Sequence, residues 1–134
     1  MSEAAGVPSD LVYLLTSDVV ATVAAHRADG SIAQYQMWVD FDGTHALLSS
    51  AVGSIKARNW ARDPQVTLSV VDRGDPWRFL VIRGRVIEMR PDEGLAMIDR
   101  LSDRYVGTLY RRRDVEREIF VIEIDDVQSR RGRG

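Results

Sequence analysis

Apolar residues recur along this chain in two rhythms, and the switch from one to the other marks the predicted elements. Val19-Val20-Ala21-Thr22-Val23-Ala24-Ala25-His26 is small, β-branched and nearly unbroken, the pattern of a buried strand. Asp29-Gly30 then supplies a hairpin turn. The return strand is predicted over Ile32 to Phe41. Gln34, Gln36, Trp38 and Asp40 share one of its faces, and Ala33, Tyr35, Met37, Val39 and Phe41 share the other. Asp42-Gly43 is a second hairpin turn, and His45 to Ser50 a third strand. Gln65 to Asp72, Trp77 to Arg90 and Glu118 to Ile124 complete a set of six. Gly84 marks a bulge or bend inside the long fifth strand.

Helical signals separate these strands. Ser9 or Asp10 can cap a short helix carrying Leu11, Leu14 and Leu15. Gly53-Ser54 opens a helix over Ile55 to Arg62, and Asp63-Pro64 stops it. Pro91-Asp92-Glu93 begins another that runs to about Arg104, with Leu95, Ile98 and Leu101 at helical spacing. Tyr105 to Arg113 has no single reading. Six strands joined mostly by hairpins predict a mainly β fold, a small antiparallel barrel with helices at its rim. One domain is expected over residues 10–128. A disordered N-terminus over 1–9 and a disordered basic tail over 129–134 are expected to flank it.

Composition narrows the chemistry. The 134 residues include 45% hydrophobic and 28% charged positions, which suits a folded domain. No apolar run approaches the ~20 residues of a membrane span. The first residues, MSEAAGVPSD, lack the basic start and apolar stretch of a signal peptide. A cytoplasmic protein that binds neither membrane nor nucleic acid is expected. The absence of cysteine excludes disulfides, iron–sulfur clusters and thiolate zinc. With only His26 and His45, both near hairpin turns, no metal site is expected and haem is disfavoured. Eighteen residues are basic, and Lys56 is the sole lysine among them.

That lysine lies in the most informative segment, Leu47-Leu48-Ser49-Ser50-Ala51-Val52-Gly53-Ser54-Ile55-Lys56-Ala57-Arg58-Asn59. A strand ends in two hydroxyls, and a glycine turn leads into a helix whose start holds Ser54 and Lys56. Free N–H groups and the positive end of the helix dipole converge there. Two readings follow: a phosphate site built from N–H groups, hydroxyls and an ammonium, or an ordinary capped helix with a solvated lysine. The segment lacks the Walker pattern.

The chain resembles the split-barrel flavin-binding family that includes pyridoxamine 5′-phosphate oxidase, and within it the branch of coenzyme F420-dependent enzymes. The matching pieces occur in order over about residues 10–127. They are Ala21-Thr22-Val23-Ala24, Asp29-Gly30-Ser31, Gln36 to Gly43, Gly53-Ser54-Ile55-Lys56-Ala57-Arg58-Asn59, Asp63-Pro64, Val81 to Val86 and Tyr105-Val106-Gly107. The resemblance implies a six-stranded split barrel of the FMN-binding-protein type. It implies a homodimer with two cofactor sites at the subunit interface. Ser54 and Lys56 match the family's Ser-x-Lys phosphate clamp, with Ser49 and Ser50 ending the strand beside the cofactor. Arg58 and Asn59 match the Arg-Asn of the F420 branch. Gln36, Met37 and Trp38 match the strand beside the ring system. Trp77 and Arg78 match the strand that the partner subunit contributes.

One departure bears on the cofactor. The oxidases carry an arginine and a lysine on the strand before the clamp, whereas Gln34 to Val39 has no basic residue. FMN and pyridoxamine phosphate are thereby disfavoured relative to the larger deazaflavin. The resemblance thus implies hydride transfer between coenzyme F420 and a small organic substrate. The alternatives are an FMN-binding reductase or oxidase of the same fold, or a non-catalytic flavin or deazaflavin carrier. No residue is singled out as a catalytic acid or base. Tyr105 reads either as a hydrogen-bond donor near substrate or as a buried tyrosine with a satisfied hydroxyl. Trp38 reads as a ring-binding wall or an interface residue, and Trp60 as core or interface. Arg111-Arg112-Arg113 reads as a solvated face or as a contact for an anionic cofactor tail.

Overall fold

Residues 5–133 are described by a computed structural model of the chain. Seven strands form one antiparallel sheet: β1 (Ala21–His26), β2 (Ile32–Met37), β3 (Asp40–Phe41), β4 (His45–Ala51), β5 (Gln65–Val71), β6 (Arg78–Pro91) and β7 (Arg117–Arg131). Their order across the sheet is β2-β1-β5-β6-β7-β4-β3. The two edges, β2 and β3, are consecutive in the chain, with only Trp38 and Val39 between them. Three Cα steps reach about 11 Å. The edges of a flat seven-stranded sheet would lie roughly 29 Å apart. The sheet therefore curls until its edges meet, and the seam is closed by the chain instead of ladder hydrogen bonds. This is a split barrel.

The predicted strand Ile32–Phe41 is accordingly two strands, and six become seven. Apolar alternation runs through the break, since Met37, Val39 and Phe41 are all buried. Pairing changes there: β2 pairs with β1, and β3 pairs with β4. The pattern of burial alone could not reveal a change of neighbour.

The closing strand is twice as long as predicted. β6 needs a partner along its whole length, and β7 supplies one from Pro91↔Glu118 to Arg78↔Arg131. Ser129, Arg130 and Arg131 lie opposite Leu80, Phe79 and Arg78, which corrects the expected disordered tail at residues 129–131. Gly84 sits at a register shift in this pair. A Cβ there would lie 2.1 Å from the Glu123 carbonyl oxygen, so the close approach demands glycine. At the other terminus, Val7 is fully buried and Ser9–Leu11 forms a 3₁₀ turn. The expected disorder is thus corrected for residues 5–9. Residues 1–4 and 134 lie outside the described residues.

Three α-helices pack on the barrel: α1 (Tyr13–Thr16), α2 (Ile55–Arg62) and α3 (Ala96–Val106). No helix among the described residues is long and apolar enough to cross a membrane. α2 inserts Trp60 into the core, where it meets Phe120 edge-on at 5.2 Å. Trp60 is thereby a core residue. α3 starts later than predicted, after a 3₁₀ turn over Glu93–Leu95. The buried Asp92 carboxylate accepts from the N–H groups of Met97 (2.8 Å) and Ile98 (2.9 Å), placing negative charge at the positive end of the helix.

β4 and the Ile119–Ile122 stretch of β7 are buried on both faces, which explains their nearly continuous apolar sequences. Ala46, Leu48, Phe120 and Ile122 point into the barrel. Leu47, Ile119 and Val121 join Met97 and Leu101 of α3 in a second, outer cluster. Trp38 and Tyr105 pack against that cluster. α3 is therefore laid over the strand that carries Ser49 and Ser50.

Candidate functional site

The end of β4 and the start of α2 form one unit. Ser54 is the N-cap of α2, and its Oγ accepts from the Ala57 N–H at 3.2 Å. Ser50 Oγ donates to Ser54 Oγ at 3.0 Å. Among the described residues, the N–H groups of Ile55 and Lys56 have no acceptor within the chain. Ser49 Oγ accepts from Arg117 Nε at 3.1 Å. Arg117 Nη1 donates to Tyr110 Oη at 3.1 Å, and its guanidinium lies 4.8 Å from the centroid of that ring. The Lys56 ammonium lies 5.0 Å from the Tyr35 ring centroid. No carboxylate among the described residues comes within ion-pair distance of it.

These groups line a cleft of ≈ 400 Å³. Its lining comes from Gln36, Met37 and Trp38 at the end of β2, Ser49, Ser50, Ala51 and Ser54 at the β4–α2 junction, and Ile98 and Leu101 of α3. Lys56, Tyr110 and Arg117 complete it. The lining holds two cations and no carboxylate, so its field favours an anion. Its polar lining comes from Gln36, Ser49, Ser50, Ser54, Lys56, Tyr110 and Arg117 and its apolar lining from Met37, Trp38, Ile98 and Leu101, of which Trp38 is the most exposed. A ligand with a phosphate and a flat ring system matches that donor set.

The structure brings together Gln36, Met37, Trp38, Ser49, Ser50, Ser54 and Lys56 from the predicted site. It places the other four elsewhere within the chain. Arg58 is exposed on α2 and does not line the cleft. Asn59 is buried behind it. Its Nδ2 donates to Tyr35 Oη at 3.2 Å, and its Oδ1 accepts from Arg62 Nη2 at 2.7 Å. Asn59 thus steadies the ring beneath Lys56 and does not reach the cleft itself. Trp77 and Arg78 lie at the start of β6. Arg78 donates to Tyr13 Oη (2.8 Å), Arg131 O (3.0 Å) and Asp10 O (3.0 Å). Trp77 is exposed, with the Arg130 guanidinium 5.0 Å from its ring centroid.

Sequence reasoning missed Tyr110, Arg117, Ile98 and Leu101 as lining residues. Arg117 comes to the cleft through strand pairing, opposite Ala51 at the end of the serine strand, which the sequence does not signal. The basic cluster drew attention instead. Arg113 bonds Asp99 at 2.5 Å and holds that carboxyl below its ordinary value. Arg111 and Arg112 line a separate depression of ≈ 410 Å³ with Val106 and Leu109, and Trp38 and Tyr110 are common to both clefts. Tyr105 takes its second reading, a half-buried tyrosine whose hydroxyl is satisfied by backbone. It donates to Val19 O at 2.6 Å and accepts from the Val39 N–H at 3.2 Å. Burial raises its pKa above the ordinary tyrosine value.

No curated protein sequence matches the chain. Among solved structures it is similar to an F420 reductase, at 31% identity and a TM-score of 0.83, covering 91% of this chain and 98% of that one. It is also similar to a conserved hypothetical protein from Mycobacterium tuberculosis (24% identity, TM-score 0.74, 98% and 85% covered). General Stress Protein 26 from Bacillus anthracis follows at 14% identity and a TM-score of 0.70, with 90% of each chain covered. The last two likenesses speak for the fold alone. The sequence pattern of the pyridoxamine 5′-phosphate oxidase family matches residues 8–131. That span takes in every strand of the split barrel, and the chain therefore belongs to the pyridoxamine 5′-phosphate oxidase family, whose fold is that of flavin-binding oxidoreductases.

Proposed function

We propose that the protein is a reductase that uses reduced coenzyme F420 and acts as a homodimer on a small organic substrate. The observation that carries this reading is the setting of Lys56. The one lysine of the chain stands at the start of α2, unpaired with any carboxylate among the described residues, in a cleft with three serine hydroxyls and Arg117. A compact ammonium with three mobile donors suits a phosphate. Two further observations favour the deazaflavin over FMN: the lack of a basic residue over Gln34–Val39, and the 31% identity to an F420 reductase.

When bound, the deazaflavin would supply the hydride that reduces the substrate. The protein's share is position and electrostatics. Lys56, Arg117 and the free N–H groups of Ile55 and Lys56 offer donors to the phosphate, and Ser49 and Ser50 stand beside them. Met37, Trp38, Ile98 and Leu101 provide the apolar surface that excludes water from the ring. Tyr110 Oη accepts from Arg117 and so keeps its own hydrogen for a ligand. No lining residue carries a carboxylate or an imidazole. The arrangement favours a mechanism dominated by proximity and orientation. Trp77 and Arg78 are assigned to the cleft of a second copy. Arg58 and Asn59 act at its margin, Asn59 through Tyr35.

Fluorescence titration with oxidised and reduced coenzyme F420, with FMN in parallel, tests the reading. Micromolar binding of coenzyme F420 and dimeric sedimentation are expected. Preference for FMN would favour the flavin reductase or oxidase, a reading that the family match itself supports. Tight F420 binding without oxidation across a substrate panel would favour a carrier.

A further inference from the structure

Tyr105, from outside the sheet, bonds to the backbone at the seam of the barrel. Val39, in the break between β2 and β3, offers its N–H to Tyr105 Oη at 3.2 Å. The same hydroxyl donates to the carbonyl of Val19, just before β1, at 2.6 Å. Tyr105 therefore satisfies two backbone groups that sheet pairing leaves over, one in the break itself and one just before β1. Its ring lies against Trp38, with centroids 5.2 Å apart and planes 13° from parallel. Tyr105 lines neither of the two clefts that flank Trp38, whereas Trp38 lines both. The indole, together with Tyr110, thus stands between the Lys56 cleft and the depression beside Arg111, and Tyr105 stacks on it.

We infer that Tyr105 is a positioning residue: it fixes the indole of Trp38 and thereby sets the width of both clefts. Trp38, in a two-residue break, has no cross-strand ladder partner and is held by packing against the outer cluster and Tyr105. The stack supplies that hold on one face. The two hydrogen bonds fix the stacking ring, since a ring tied at its hydroxyl cannot slide along the indole. α3 carries Tyr105 in its last turn, and Asp40 pairs with Arg100 (2.9 Å) and Arg104 (3.0 Å) of the same helix. The helix, the seam and the indole therefore move together. The consequence for cofactor affinity rests on the reading of the cleft given above; the positioning of Trp38 does not.

The test uses the full chain and a signal that belongs to Trp38. Subtracting the near-ultraviolet circular dichroism of Trp38→Phe from that of the native protein isolates the band of the stacked indole. Tyr105→Phe keeps the ring and loses both hydrogen bonds, so the band should weaken and coenzyme F420 should bind roughly two- to tenfold less tightly. Tyr105→Leu should abolish the band and raise acrylamide quenching of Trp38. If Tyr105→Leu fails to fold, Tyr105→Phe alone decides through its band. A native band and native quenching in folded Tyr105 variants would overturn the proposal. If the native protein binds no coenzyme F420 while the band responds as described, the cofactor reading falls and the positioning role stands.

Discussion

Arg117 and Ser49 are bonded to each other in the lining of the cleft, Nε to Oγ at 3.1 Å. One sits at the first residue of β7 and the other near the end of β4, so sheet pairing itself sets the spacing of the proposed anion site. Such a site needs little rearrangement on binding, which lowers the ordering cost. Arg117→Ala should weaken coenzyme F420 binding about 10- to 100-fold, the range for a charge-assisted hydrogen bond. Arg117→Lys should fall between, because a lysine cannot bond Ser49 and Tyr110 with one planar fork. Titration of both variants checks the order. Native affinity in Arg117→Ala would remove this residue from the site.

Lys56 makes no ion pair with the described residues, so its removal should leave the fold intact. Lys56→Ala should unfold at nearly the native denaturant concentration yet bind the cofactor at least about tenfold more weakly. The loss should shrink as salt is raised, because screening already weakens the native interaction. Equal affinity in native and variant protein at low salt would return Lys56 to the solvated surface.

Much of the cleft's make-up is legible in the sequence, and the reasons are local. Ser54, Lys56 and the stop at Asp63-Pro64 define α2 through capping chemistry that needs no tertiary context, and the observed helix spans Ile55–Arg62 as predicted. The lining at Gln36, Met37 and Trp38 follows from the resemblance. What escaped depends on pairing between distant segments. The 125–131 segment is polar and reads as a tail, but the long β6 gives it a partner. The break at Trp38-Val39 hides because alternation continues through it. Arg117 enters the cleft only once β7 is laid beside β4, and the aperiodic 107–116 segment gives no warning of that. Asn59 was readable as a helix residue but not as the support of Tyr35, since 24 residues separate the two.

Ser54 combines two roles that one pair of substitutions can separate. Its Oγ caps α2 and also accepts from Ser50. Ser54→Ala should lose about 0.5–2 kcal/mol of stability with the cap. Ser54→Asp restores a capping oxygen and adds favourable charge at the helix start. It should regain most of the stability while repelling a phosphate, so its cofactor affinity should be the lower of the two. Urea unfolding and cofactor titration on both variants give the comparison. Parallel changes in stability and affinity would contradict a clamp role distinct from capping.

Acid should loosen the periphery in a defined window. Asp72 is held below its ordinary value of 3.8 first by the O–H of Tyr13 and then by the N–H groups of Gly74 and Asp75. Asp10 is held low by Arg131, and Asp99 by Arg113. A depressed carboxyl binds fewer protons when folded than when unfolded, so its stabilisation is present above the ordinary value. It is lost as pH falls through the lower folded value. The urea midpoint should therefore hold through mildly acidic pH and drop below about pH 4. Asp72→Asn should flatten part of that drop. An acid limb identical to the native one would show that the Tyr13–Asp72 bond is not maintained in solution.

Asp40 offers the sharpest test of how β3 is tied to α3. Its side chain is only 9% exposed, and it pairs with Arg100 and Arg104, whose side chains are 53% and 22% exposed. The three substitutions should not cost the same. Arg100→Ala removes a pair that water already screens, so its effect should stay below about 1 kcal/mol. Arg104→Ala removes the better-sheltered partner and should cost somewhat more. Asp40→Asn removes the charge that both arginines share and leaves Arg104 confined without a counter-ion. It should cost about 1–3 kcal/mol, the penalty for stranding a partly buried polar group. Because the same helix carries Tyr105, Asp40→Asn should also disturb the Trp38 dichroism, while Arg100→Ala leaves it unchanged. Denaturant midpoints rank the three variants. Equal costs for Asp40→Asn and Arg100→Ala would mean that the ion pairs of Asp40 do not tie β3 to α3.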